Sequence, residues 1–349
     1  MQIREILDKL CGAAGGSGFE ADAAAVCRAC FAPYVDEIYS DALGNVIAHR
    51  RTKRQGAPRL MLDAHLDEIG LIVTSVDEKG FLHVTNVGGV DARILPGQEV
   101  VVHGRQKACG VIGLRPPHLQ EAGEADKTLS IDELTVDIGM DEAAAREVVR
   151  AGDLVTFLKR GAALAGGQYT SASLDNRAGV AALLYAAAEL NGRDIGCDIY
   201  YVLSVCEETS MAGARTSTHA INPDYALVID VTHGITPDNR EDAFACGKGP
   251  AYTIGPNVNR PLTDMMCEAA RAAGVQLHAE VSGGSSGTNA WAVQVSRLGV
   301  ACAVLSIPLK YMHTPAETLA MRDIADTGRV AAQFAARIAT FDRARRIQP

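Results

Sequence analysis

The sequence predicts an α/β fold, a helix-covered mixed β-sheet domain interrupted by a small β-rich, barrel-like insertion. Three observations lead there. From about residue 174 onward, alanine-rich helical stretches (RAGVAALLYAAAEL, LTDMMCEAARAAG, IADTGRVAAQFAARIATF) alternate with strand-like runs (DIYYVLSV, YALVID, VACAVLSI). From about 69 to 160 the texture changes to brief alternating runs, LIVTSV, FLHVTNV, EVVVHG and GVIGL, separated by Gly, Pro and Asp. Ahead of that stretch, RLMLDAH reads as a buried strand that ends abruptly in polar residues. If this strand joins the later sheet, one domain is split into two pieces, 1–68 and 163–349, by an insertion over 69–162.

Taken in order, residues 2 to 10 carry Ile3, Ile6, Leu7 and Leu10 at helical spacing. The run GAAGGSG then breaks the pattern before a second helix around 20 to 33. NVIAHR and RLMLDAH follow as strands, and the insertion contains one short helix near 141 to 150. Cys27 and Cys30 form a CxxC, but it lies in the helical stretch AAAVCRAC with no second pair to complete a zinc site. Helical packing is the better reading.

A chain of 349 residues with 48% hydrophobic content can bury a substantial core. Its net charge of −9 gives no global positive field to gather nucleic acid or an anionic membrane surface, so neither is expected as a partner. The opening MQIREILDKLCGAAGGSGFE lacks the apolar run of a secretory signal, and no stretch is apolar for long enough to span a bilayer. The nine cysteines are dispersed rather than arranged as a dense disulfide framework. A cytoplasmic location with reduced thiols is the expectation.

Five places share one layout, a hydrophobic run that terminates in a carboxylate or histidine: LMLDAHLDEIG, TSASLDNRAG, YVLSVCEETSMAGA, YALVIDVTHG and AVLSIPLKYMHTP. Strand ends are where α/β folds assemble their sites. Any one of these carboxylates is ordinarily a solvated turn or a helix cap, but five together point to a single site. They supply His65, Asp175, Glu208, Asp230 and His313, a nitrogen and oxygen set without thiolate that suits zinc, cobalt or manganese. Two ions need more ligands than five side chains give singly, and a bridging carboxylate solves that while holding the ions about 3.5–4 Å apart.

Two further carboxylates stand beside these. Asp67, two residues past His65, can take the hydrogen bond of the imidazole nitrogen that does not bind metal. Glu207 directly precedes Glu208 and points elsewhere, so it can act as general base toward a water whose pKa the metals lower toward roughly 7. His83, His103 and His118 have no flanking carboxylates and read as surface or hydrogen-bonded histidines, and His233 reads as cleft lining. Ser285 and Ser286 lie in a glycine-rich stretch without a GxSxG elbow or partner base, so a substrate-facing loop is the better account.

The ordered set AHLDEIG, SLDNRAG, EET.MAGA, VIDVTH and YMHTPAE resembles the M42 family of metallo-aminopeptidases. The resemblance extends over nearly the whole chain, through GGSGFE, SDALGNVIA, GGVDARILPGQEVVVHGR and GVIGLRPPHL. It implies that His65 and Asp230 bind one metal, that Glu208 and His313 bind the other, and that Asp175 bridges them. Glu207 is implied as the general base, Asp67 as the carboxylate behind His65, and a cis peptide is implied after Asp175. Also implied are dimers, with the insertion as dimerisation domain, built into a hollow tetrahedral dodecamer. Two departures stand out: Thr209 and Ser210 where relatives usually have glycine after the paired glutamates, and Asn289 where members commonly have aspartate. Asn289 is therefore expected to alter pocket polarity.

The resulting expectation is a metal-dependent aminopeptidase that removes the first residue of short peptides using two divalent ions. An alternative keeps the site but deacylates or amidolyses a modified amino acid, which N-acetylated substrates would reveal. A third possibility is a non-catalytic, metal-dependent assembly scaffold, against which the complete set of ligands and base counts.

Overall fold

A computed structural model describes residues 2–119, 130–158, 161–239 and 241–341. The outer ends of the two sequence pieces, residue 1 and residues 342–349, lie outside the described residues. So do residues 120–129 of the insertion.

The chain opens with α1 (Ile3–Gly12), whose Ile6, Leu7, Leu10 and Cys11 form one buried stripe, and α2 (Ala21–Phe31). β1 (Glu37–Ser40) and β2 (Val46–Arg50) form a hairpin at the sheet edge, and β3 (Arg59–His65) enters the sheet interior. The chain then leaves for β4 (Gly70–Val76), β5 (Leu82–Val87), β6 (Glu99–His103), β7 (Lys107–Ile112), β8 (Thr135–Asp137), α3 (Glu142–Val148) and β9 (Leu154–Phe157). These six strands close into an antiparallel barrel in the order β4-β5-β8-β7-β6-β9. Its core is its own, built from residues such as Leu71, Val84, Val102, Ile112 and Phe157. Closure removes the unpaired edges that short strands would otherwise expose.

The chain re-enters the sheet through β10 (Ala162–Leu164) and β11 (Gln168–Ser171). It continues as α4 (Leu174–Leu190), β12 (Asp198–Ser204), α5 (Glu207–Ser210), α6 (Ala212–Ile221) and β13 (Tyr225–His233). Then come β14 (Ala251–Ile254), α7 (Arg260–Ala273), β15 (His278–Val281), α8 (Ala290–Val293), β16 (Ala301–Lys310), β17 (Glu317–Ala320) and α9 (Met321–Arg337). The sheet order is β1-β2-β12-β3-β13-β16-β17-β11-β10, with β14 pairing to β15 and β16. β12, β3, β13 and β16 run parallel through the centre, and antiparallel strands flank them, so the sheet is mixed as predicted.

Helices cover both faces. α4 lies against β3 and β13 and is buried almost all round, as its alanine-rich sequence demands, because small side chains let helix and sheet approach closely. Gly328 of α9 meets α4 at such a point: a Cβ there would stand 2.7 Å from the carbonyl oxygen of Ala182. α6 and α8 cover the opposite face over Met61, Val202, Val228 and Val304. α7 starts on an Asn259 side chain that accepts the N–H of Leu262 at 3.0 Å, and Gly274 ends it in left-handed conformation. Among the described residues no helix is long and apolar enough to cross a membrane. All nine cysteines are free thiols, and Cys27 is buried in helical packing as its sequence context predicts.

Candidate metal centre

The parallel strands deliver their C-terminal ends to one cavity. Side chains alternate along a strand, so in β3 Leu60, Leu62 and Ala64 pack into the α4 layer while Met61, Asp63 and His65 take the other face. β13 follows the same rule, with Leu227 and Ile229 in the α4 layer and Val228, Asp230 and Thr232 opposite. His65 and Asp230 thus face the same side of neighbouring strands. The turn after β12 brings Glu207 and Glu208, the N-terminus of α4 brings Asp175, and the loop after β16 brings His313. Together they line a cavity of about 260 Å³.

Within it lie two groups whose donor atoms come within 4.8 Å of one another: His65, Asp175 and Asp230, and Asp175, Glu208 and His313. Asp175 belongs to both. Its Oδ1 is 3.1 Å from Nε2 of His65, and its Oδ2 is 3.4 Å from Nε2 of His313. Nε2 of His65 also stands 3.7 Å from Asp230, and Nε2 of His313 stands 3.3 Å from Glu208. Glu207 belongs to neither group, and its Oε2 lies 3.9 Å from Nε2 of His65.

Other residues hold these side chains in place. Asp67 is fully buried, lies 3.5 Å from Nδ1 of His65, and accepts the backbone N–H groups of Glu207 at 2.9 Å and Glu208 at 3.1 Å. It thereby satisfies the exposed donors at the start of α5. The bond between Asp175 and Asn176 is a cis peptide. Asn176 is buried, donates to the carbonyl of Ile229 at 2.8 Å and accepts the N–H of Gly179 at 2.9 Å, which ties the start of α4 to β13. Glu317 accepts the N–H of Asp175 at 3.1 Å and that of His313 at 2.8 Å. His313 itself adopts a positive φ of 60°, so this second bond restrains a backbone conformation that non-glycine residues visit rarely. The barrel reaches the site through Gly88 and Gly89: Cβ atoms there would stand 3.3 Å from Cβ of Glu208 and 3.0 Å from Nδ1 of His313.

The electrostatics are those of crowded anions. Burial pushes the carboxyl of Glu207 up to about 9, with the charges of Asp230, Glu208 and Asp175 adding to the effect against His65. Burial likewise raises Glu208 and Asp230. Burial opposes ionisation of Asp175 too, yet hydrogen bonds with His313 and His65 hold it below the usual carboxylate range. His313 is lifted to about 11 by its hydrogen bonds to Asp175 and Glu208. A cavity with this surplus of buried carboxylate calls for compensating positive charge. Imidazole nitrogens and carboxylate oxygens without thiolate fit borderline or hard divalent cations.

The profile of the M42 glutamyl aminopeptidase family matches residues 44–330. The chain belongs to this family. A lysyl aminopeptidase of Pyrococcus furiosus is 36% identical over 301 residues, 85% of this chain and 86% of that one. Among solved structures, an aminopeptidase from the archaeon Desulfurococcus kamchatkensis superposes with a TM-score of 0.89 at 32% identity, over 96% of this chain and 94% of that one. The TET1 peptidase of Pyrococcus horikoshii, which can assemble into a tetrahedron or a large octahedral shell, gives 0.84 at 28% identity over 96% and 99% of the two chains.

Within this M42 chain the fold brings His65, Asp175, Glu207, Glu208, Asp230 and His313 to one cavity and sets Asp67 behind His65. His233, Ser286, Gly287 and Thr288 line the cavity as well, as the reading of cleft and loop anticipates. His83 is half-exposed 3.8 Å from Asp77, His103 bonds to Thr156 and His118 is exposed, all remote from it. Asn289 differs from expectation. It is 1% exposed and turns away from the cavity to donate to Asp63 and Ser204, each at 2.9 Å, so it acts under the site rather than on pocket polarity. Thr209 continues α5, its hydroxyl 2.9 Å from that of Ser17. Sequence reasoning missed Glu317, Asn176 and the Gly88–Gly89 contact. Glu317 and Asn176 both sit inside the motifs quoted, but nothing in their residue types separates a tether from a turn.

Proposed function

We propose that the chain is a dinuclear metallo-aminopeptidase that releases the N-terminal residue of short peptides. His65 and Asp230 would hold one divalent cation, Glu208 and His313 the other, and Asp175 would bridge them. Zinc and cobalt suit this donor set best, with manganese also accommodated. The observation that carries the reading is Asp175, whose two oxygens face two different histidines at 3.1 and 3.4 Å. When bound, the cations supply polarisation of the scissile carbonyl and acidification of the attacking water.

The chain's own residues do the rest. Glu207, outside both ligand groups, takes the proton of the water and hands it to the departing amine. Asp67 keeps the His65 ring oriented with Nε2 toward Asp175. The carboxylates around the cavity attract the free α-ammonium of a peptide. A cavity of about 260 Å³ takes one residue and its scissile bond rather than a folded chain.

The proposal includes residues 69–162 as the inserted domain and its barrel as a dimerisation unit. It includes assembly of those dimers into a tetrahedral dodecamer, supported by the likeness to the TET1 peptidase. A cytoplasmic location is part of it, supported by free thiols at all nine cysteines.

The test is hydrolysis of one peptide with a free or an acetylated N-terminus, with and without added zinc, cobalt or manganese. Metal-dependent cleavage of the free peptide alone is expected. Cleavage of the acetylated peptide alone would assign a deacylase, and no cleavage with any of the three metals would leave the scaffold reading.

A further inference from the structure

Five carboxylates line the cavity, and four have a place in the reading above. Asp175, Glu208 and Asp230 belong to the two ligand groups, and Glu207 stands beside His65. The fifth is Glu280, carried by β15 at the far edge of the sheet. It is half-buried, and its Oε1 accepts a hydrogen bond of 2.5 Å from the hydroxyl of Thr232. Thr232 lies two residues beyond Asp230 on the same face of β13, about 7 Å further along the strand. Glu280 is thus fixed at one end of the cavity, a side-chain length from the groups that would grip the scissile bond.

Among the described residues lining this cavity the basic side chains are the imidazoles of His65, His233 and His313, with no lysine or arginine, and none of them pairs with Glu280, whose partner is Thr232. Its second oxygen is left for a ligand. Met312 and Val231 contribute apolar wall to the same space, which suits the methylene stem of a long amphipathic side chain. A glutamyl or aspartyl side chain entering the same end would face carboxylate against carboxylate.

We propose that Glu280 is the specificity-determining residue of the cavity, pairing with the ammonium or guanidinium of a lysine or arginine at the substrate N-terminus. This rests on the aminopeptidase reading and narrows it to a substrate class. The stem of lysine spans a distance comparable to that between Asp230 and Thr232 along the strand, so the α-amine and the side-chain cation are held at opposite ends of one cavity. A charge-assisted hydrogen bond of this kind is worth a factor of about ten or more in binding.

The test compares kcat/KM for lysyl, arginyl, leucyl and glutamyl p-nitroanilides, using the full chain with zinc, cobalt or manganese supplied. Lysyl and arginyl substrates are expected to exceed glutamyl by about tenfold or more. Glu280→Gln is expected to narrow the lysyl-to-leucyl ratio about tenfold, mainly through KM. A glutamyl preference in the wild-type protein overturns the proposal, and that ranking stands as a test even if the variant fails to fold. An unchanged lysyl-to-leucyl ratio in the variant overturns it too. So does an equal loss on all four substrates, which would put Glu280 at the α-amine. Hydrolysis of none of the four with any metal removes the aminopeptidase reading and this inference with it. Hydrolysis with another ranking removes only the inference.

Discussion

Asp67 accepts the backbone N–H of Glu207 at 2.9 Å, so the carboxylate that stands behind His65 also fixes the start of the helix carrying the proposed base. Ring orientation and base position therefore depend on one buried side chain. Asp67→Asn keeps the size but presents an NH2 group to one of the two backbone donors or to Nδ1 of His65. Metal affinity is expected to fall about 10–100-fold, measured by competition with a chromogenic chelator. A variant with wild-type affinity would show that the contact is packing only.

Glu207→Gln removes the proton carrier while leaving both three-residue groups intact. Turnover of an aminoacyl anilide is expected to drop by about 10²–10⁴, with metal content unchanged. Loss of metal in parallel with activity would instead make Glu207 a ligand.

Glu317 ties the backbone of Asp175 to that of His313, two residues 138 positions apart in sequence whose side chains are proposed to share one cation. Gln at this position accepts one of the two N–H groups and turns a donor toward the other. A stability loss of about 1–3 kcal/mol is expected from denaturant unfolding, together with weaker binding of metal. Unchanged unfolding would mean that the two bonds contribute nothing measurable.

Asn289→Asp places a second carboxylate against Asp63, whose own carboxyl burial already pushes up to about 7. Both groups would then hold protons in the folded chain at pH values where the unfolded chain has released them. Folded pKa values raised in this way give stability that is lost as pH rises from about 4 through the folded value near 7. The thermal midpoint of the variant is expected to fall further below that of the wild type at pH 8 than at pH 5.5. A gap that does not widen with pH would contradict this account of the cluster.

How far the sequence reached is clearest at these same residues. β3 and β13 end in His65 and Asp230 after apolar runs, and period-two alternation puts those residues on one face, so both strand and site were legible there. The barrel was legible as texture, because short alternating strands and turn residues leave a local signature. Glu317 and Asn289 were not, because their roles depend on partners far away in the chain: Asp175 for one, Asp63 and Ser204 for the other. Asn289 misled for a related reason, since a glycine-rich loop suggests exposure while its last residue, just ahead of α8, turns inward to Asp63 and Ser204. The contact of Gly89 with His313 was equally hidden, as it joins the barrel to the sheet.

The central claim is that one carboxylate, Asp175, serves two cations. The direct measurement is metal content by inductively coupled plasma mass spectrometry, for the wild-type protein and Asp175→Ala after equilibration with excess zinc and removal of free ion. Two zinc ions per chain in the wild type, with both sites weakened in the variant, is the predicted result. Saturation at one ion or none in the wild type, or two ions retained at full affinity without Asp175, would contradict it.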